Sequence, residues 1–235
     1  MLLEAIINMR NDRLFLEIPH VIKSLVCKIL WAFLMILVVV GLPGSGKSTV
    51  AEFLRKEDFD VIELGDIWRE LLKKAKIPMN DPRATREFTK RLRLEKGKDV
   101  YARYAVKKIK KSMKHVVVMG VRSTYELNYL KKKVTDIQII AILSPFNVRF
   151  TRMKVRGKPE DPKTLADFTW LNTREKRGFM SAKSEEKHGV SVVMRQADYA
   201  ISNTGTTRDL KRNLDNVLSI ISRENAGAKA QIRRS

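Results

Sequence analysis

Apolar residues along this chain follow two rhythms. Short unbroken runs rich in valine and isoleucine stand at ILVVV (36–40), DVIEL (60–64), HVVVM (115–119), IQIIAIL (137–143) and DYAIS (198–202). They lack the alternation of a half-exposed strand, which predicts parallel strands covered on both faces. Between the runs, apolar positions recur every three or four residues. That spacing predicts helices over about 47–57, 66–76, 84–95, 98–114 and 123–133. A last helix starts at Thr206 or Thr207, a hydroxyl N-cap, and carries Leu210, Leu214, Val217, Leu218 and Ile221 on one side. Strands alternating with helices predict an α/β fold, a doubly wound five-stranded parallel sheet.

The two ends of the chain read differently. Residues 1–34 contain VIKSLVCKILWAFL, apolar at helical spacing. They are either an extra helix or an extension ahead of a start at Met35, where the first strand begins, and the pattern leaves both open. The folded domain is expected over 35–222, and the basic, small-residue tail RENAGAKAQIRRS (223–235) is expected to be disordered. The apolar stretch 25–42 is interrupted by Lys28, so its unbroken part covers only 29–40. A spanning helix needs roughly 20 residues, and no secretory cleavage pattern follows, so no membrane span is expected.

Composition changes this picture in one respect. A hydrophobic fraction of 44% and a charged fraction of 31% suit an ordinary folded domain, but the net charge is +21. Such an excess favours an anionic partner: nucleotide, coenzyme, anionic lipid or nucleic acid, RNA included. KKIKKSMKH (107–115) and KKK (131–133) concentrate the charge, yet no aromatic-basic RNA-recognition motif accompanies them. A lone Cys27 and the scattered His20, His115 and His188 argue against an internal disulfide and a structural zinc site. A cytoplasmic protein is the expectation.

The chemistry begins where the first strand ends. GLPGSGKS fits G-x-x-x-x-G-K-[ST] with Gly41, Gly46, Lys47 and Ser48, followed by Thr49. A chance match in a chain of this length is on the order of one in a hundred, and the flanking strand and helix are the context the motif demands. Gly41, Leu42, Pro43, Gly44, Ser45 and Gly46 are expected to wrap phosphate oxygens with backbone N–H groups, because glycine permits close approach and φ > 0. The helix that follows points its positive end at the same place. Lys47 is expected to reach the β- and γ-phosphates, and the Ser48 hydroxyl to ligate Mg²⁺. ATP and Mg²⁺ are thus the expected cofactors.

Further segments carry a resemblance. ELGDIWREL holds G-D-x-x-R at Gly65, Asp66 and Arg69, and GVRS holds Arg122 after the third strand. RFTRMKVRGKPEDPKT holds Arg152 and Arg156, and ADYAISNTGTTRDL holds Asn203 and Gly205. Together these resemble adenylate-kinase-like and dephospho-CoA-kinase-like enzymes, most of all an archaeal family of such P-loop kinases, over about 35–221. The resemblance implies acceptor-phosphate binding by Arg69 and Arg122, with Asp66 beside them. It also implies a small helical lid over about 146–190, whose Arg152 and Arg156 clamp the transferring phosphates, and an Asn203–Gly205 segment beside the donor adenine. Lys47, Asp66, Arg122, Arg152 and Arg156 form the implied catalytic set.

Two departures temper the implied activity. The family places an aspartate for Mg²⁺ at the end of the third strand, where this chain has Met119, and a thioether cannot replace a hard oxygen ligand. In the lid, where relatives carry an Arg-Asp pair ahead of a second Arg-Glu, the chain reads LNTRE, with Leu171 and Asn172 before Arg174 and Glu175. GFMSAKSEEKHGVSVVMRQ is also longer than the corresponding segment. The expected function is phosphoryl transfer from ATP to a phosphate-bearing, nucleotide-like or coenzyme-like small molecule. The alternative is a catalytically weak nucleotide-binding module that docks on RNA or another polyanion.

Overall fold

The computed structural model describes residues 34–157, 161–177 and 189–232. Its centre is a five-stranded sheet of β1 (Ile36–Val40), β2 (Phe59–Glu63), β3 (His115–Met119), β4 (Ile137–Leu143) and β5 (Tyr199–Ser202), ordered β2-β3-β1-β4-β5. All four pairings are parallel, so the expected doubly wound parallel sheet is found. The helices are α1 (Lys47–Lys56), α2 (Leu64–Lys74), α3 (Pro82–Lys96), α4 (Val100–Ile109), α5 (Thr124–Lys133), α6 (Phe146–Arg156), α7 (Leu165–Arg177), α8 (Val190–Met194) and α9 (Thr207–Ile232).

Alternation along each strand splits the core into two layers. Ile36, Val38 and Val40 of β1 pack toward Ile67 of α2, Val106 of α4 and Leu127 of α5. Leu37 and Val39 face the other way, with Val117 and Met119 of β3, onto Val50 and Leu54 of α1 and Leu210 and Leu214 of α9. Every residue of β1 is buried, which is why its sequence reads as a solid apolar run.

Element ends shift from the sequence reading for local reasons. Asp81 caps α3 by accepting from the backbone N–H of Arg83 (2.9 Å) and Ala84 (3.0 Å), so the helix opens at Pro82. The helix expected over 98–114 is α4 and ends at Ile109. Past it, the Ser112 hydroxyl donates to the Asp60 carboxylate at 2.5 Å and turns the chain toward β3. Because β2 stops at Glu63, Leu64 opens α2 and Asp66 sits in that helix's first turn. The segment expected as a lid, about 146–190, contains α6 and α7 among its described residues. The last helix continues to Ile232, so residues 223–232 are helical in this structure where a disordered tail was expected.

The extension at 1–33, with Cys27 and the apolar stretch before β1, lies outside the described residues, as do 178–188 of the long segment with His188. Among the described residues no helix is long and apolar enough to cross a membrane.

Candidate active site

The loop from Gly41 to Gly46 lies at the C-terminal end of β1, the central strand, and feeds α1. Gly46 is the N-cap of α1 in the left-handed region (φ 102°), and no side chain caps the helix. Its first-turn N–H groups are therefore left for an anion. The loop has no room for side chains at its glycines. A Cβ at Gly44, itself at φ 78°, would lie 2.6 Å from the carbonyl oxygen of Arg149, and one at Gly46 would collide with the Asn203 amide. The Ser45 hydroxyl is buried with no hydrogen-bond partner among the described residues, and Ser48 is exposed in the first turn of α1. This donor-rich cradle fits the phosphates of a nucleotide, and the Ser48 hydroxyl fits a hard cation beside them.

Lys47 arches back over the loop, its Nζ donating to the carbonyls of Gly41 (2.7 Å) and Leu42 (3.1 Å). Burial, with the guanidinium charges of Arg122, Arg149 and Arg156, lowers its pKa to about 8, opposed by the carboxylate of Glu175. Lys47 thus stands in a field of arginines that a polyphosphate would neutralise.

Arg149 of α6 is 3% exposed and underlies the loop. Its guanidinium donates to the carbonyls of Pro43 (3.0 Å) and Ser144 (3.1 Å) and to Oδ1 of Asn172 (2.8 Å), and it lies over the rings of Phe168 and Phe146. Asn172, one of the two departures in LNTRE, is thereby a buried tie between helix α7 and, through Arg149, the loop. Glu175, one turn on, accepts from Arg122 at 3.2 Å. The backbone of Arg122 is fixed separately. Its N–H donates to the buried carboxylate of Glu126 at 2.9 Å, which forms a capping box with Ser123 at the start of α5.

The other arginines of the implied set each have partners of their own. Arg152 donates to the Ser144 hydroxyl (3.0 Å), to the Asn203 carbonyl (3.0 Å) and amide oxygen (3.1 Å), and to the Gly205 carbonyl (3.5 Å). It thus rests on the Asn203–Gly205 segment. Asn203 is buried and its amide donates to the Ser45 carbonyl at 2.8 Å, propping the loop from β5. Arg156 forms a two-pronged pair with Asp161, with Nε to Oδ2 at 2.8 Å, and Asp161 is 4% exposed. Arg69 pairs with Asp66 within α2, and both line an open cleft of about 850 Å³ with Glu63, Lys73, Ile77 and Lys108.

The charges of Arg122, Arg149 and Arg156 thus act on Lys47, and Arg69 sits with Asp66 on the wall of an open cleft. Arg149, Asn172, Glu175, Glu126 and Asp161 are the residues sequence reasoning did not assign. Arg149 shares a helical stripe with Arg152 and Arg156, a spacing that was visible. Residues 149–156 do not form a uniformly solvated basic face: three acceptors and two rings bury Arg149. Met119 is 3% exposed among the apolar residues facing α1, so the end of β3 offers a cation no oxygen side chain.

A parallel sheet with a phosphate loop between its central strand and the next helix, and basic side chains around it, defines a P-loop kinase-like protein. Residues 37–192 match a family model described as an AAA domain. The chain is 33% identical over 194 residues to a UPF0200 protein of Thermococcus kodakarensis, covering 79% of this chain and 99% of that one. It is 35% identical over 192 residues to a UPF0200 protein of Pyrococcus horikoshii, covering 80% and 97%. The chain belongs to this archaeal UPF0200 family. A solved protein of Thermus thermophilus, TT1252, shares the fold with a TM-score of 0.53 at 17% identity, covering 79% of this chain and 97% of its own.

Proposed function

We propose that this protein is a small-molecule kinase, binding ATP at residues 41–49 and transferring its γ-phosphoryl group to a phosphate-bearing, nucleotide-like or coenzyme-like acceptor. The observation that carries this reading is the glycine loop at the end of β1, uncapped at Gly46 and overarched by Lys47, on which the charges of Arg122, Arg149 and Arg156 act. Phosphoryl transfer needs little covalent help, so cations converging on the transferred group supply most of the catalysis. The acceptor oxygen, a phosphate oxygen of a nucleoside monophosphate or a hydroxyl of dephospho-CoA, attacks the γ-phosphorus, the bond to the β–γ bridging oxygen breaks, and ADP leaves with that electron pair. Where the acceptor is a hydroxyl, Asp66 receives its proton; Arg69 and Arg122 hold the acceptor phosphate, and Lys47 follows the β- and γ-oxygens. Arg152 and Asn203–Gly205 flank the donor base. Mg²⁺ held at Ser48 would neutralise charge on the β- and γ-phosphates. The reducing setting implied by a single cysteine suits a cytoplasmic enzyme.

The test is ADP formation by purified protein with Mg·ATP and a panel of nucleoside monophosphates and dephospho-CoA. Acceptor-dependent ADP that Lys47→Ala abolishes supports the proposal. Turnover that is absent, or indifferent to acceptor and to Lys47→Ala, overturns it. One observation favours a second reading, a nucleotide-binding module with little catalysis: buried Met119 where a metal-directing oxygen is needed. Saturable ATP binding without ADP formation would select it.

A further inference from the structure

We infer that Glu63, the last residue of β2, supplies the carboxylate that directs a hydrated Mg²⁺ at Ser48, in place of the end of β3. The inference rests on reading residues 41–49 as a Mg·nucleotide site.

In P-loop proteins the metal is held by the loop's Ser or Thr and by a carboxylate at a strand end. Here β3 ends in Met119, but Glu63 is Met119's partner in the parallel register of β2 and β3. Neighbours in register point to the same face of a sheet, with strands about 4.8 Å apart. Two alternating neighbours of Glu63 in β2, Phe59 and Val61, pack in the same layer as Met119, Val117 and Val39, against α1. Glu63 therefore projects toward the helix that carries Ser48. Its carboxylate lies 3.8 Å from the guanidinium of Arg55, which stands two turns beyond Ser48 in α1, so Glu63 faces that helix.

Other residues near the C-terminal strand ends on that face, Val39, Met119, Ile142 and Ile201, are apolar. Glu63 alone among these brings a hard oxygen. It also lines the cleft of Asp66 and Arg69, so it stands between the loop helix and the proposed acceptor. Glutamate carries one methylene more than aspartate, which suits a group reaching across from the adjacent strand to a metal-bound water. The pair with Arg55 is long, with Glu63 34% and Arg55 52% exposed, and such pairs are worth well under about 1 kcal/mol. It yields readily to a dication.

The test measures Mn²⁺ affinity by paramagnetic resonance, with ATP bound, and ATP affinity in EDTA, for the wild type and variants. Glu63→Gln should lose about ten- to a hundredfold in Mn²⁺ affinity, the usual effect of removing an outer-shell partner, with metal-free ATP binding unchanged. Adding Met119→Asp to Glu63→Gln should restore the metal affinity, a rescue that mere surface disturbance would not give. Unchanged Mn²⁺ affinity in Glu63→Gln overturns the inference, and so does an equal loss in Asp66→Asn with none in Glu63→Gln. Failure of the wild type to bind ATP in EDTA would instead overturn the reading of the loop, and this inference with it.

Discussion

Asn172 accepts a hydrogen bond from Arg149 at 2.8 Å, and the same guanidinium donates to the Pro43 carbonyl inside the phosphate loop at 3.0 Å. One buried cation thereby ties helix α7 to the loop. Removing it would strand three acceptors, each costing about 1–3 kcal/mol if left buried and unpaired, partly recovered by water. We expect Arg149→Ala to lower unfolding stability by about 3 kcal/mol and Asn172→Ala by about 1–2 kcal/mol in urea titrations. Arg149→Lys should fall between, because one ammonium cannot serve three acceptors spread around a planar fork.

Lys47 makes the native state pH-sensitive. In the folded chain it titrates near 8, lowered by burial and by Arg122, Arg149 and Arg156, whereas in the unfolded chain it titrates near about 10.4. Between those values the unfolded state binds more protons, so this group's contribution to stability rises with pH. Below about pH 8 its buried charge works against the fold. We expect nucleotide-free Lys47→Met to be more stable than the wild type at pH 7 by about 1 kcal/mol, allowing for solvent screening. The gap should close between about pH 8 and pH 10.4. Thermal melts across that range measure it, and ATP should stabilise only the wild type.

Gly44 occupies φ 78° with the Arg149 carbonyl 2.6 Å from where a Cβ would lie. Gly44→Ala meets both a disfavoured backbone region and a backbone atom that cannot step aside. We expect a stability loss of about 1–3 kcal/mol, with nucleotide binding weakened further because the loop must shift. Calorimetric titration with ATP beside a melting curve separates the two effects.

Arg69 and Asp66 pair with each other on the cleft wall. If they hold the acceptor, Arg69→Ala should lower kcat/KM for the acceptor by about ten- to a hundredfold, as loss of a charged hydrogen bond of about 1.5–3 kcal/mol requires. ATP affinity should stay as it is. Steady-state kinetics with each substrate varied in turn gives the answer.

How much of this was legible beforehand follows from the range of each interaction. The loop GLPGSGKS declares itself because its chemistry is local: glycines for the turn, a lysine and a serine on the next helix. The five strands declare themselves because burial on both faces forces unbroken Val and Ile runs. Helix ends were less legible, since Asp81 before Pro82 and Ser112 bonding to Asp60 override apolar spacing.

The arginines divide the same way. Sequence alone determined that the chain is a P-loop protein with many cations after its loop. Only the tertiary structure decided that Arg149 is buried under Pro43, that Arg152 rests on Asn203, and that Arg122 meets Glu175. These partners are far apart in the chain, and any of several arginines satisfies the same motif. Docking of α6 and α7 and the strand order choose among them. Register likewise turned Met119 from a missing ligand into the neighbour of Glu63, because side chains facing one way on adjacent parallel strands share a site that no linear motif records.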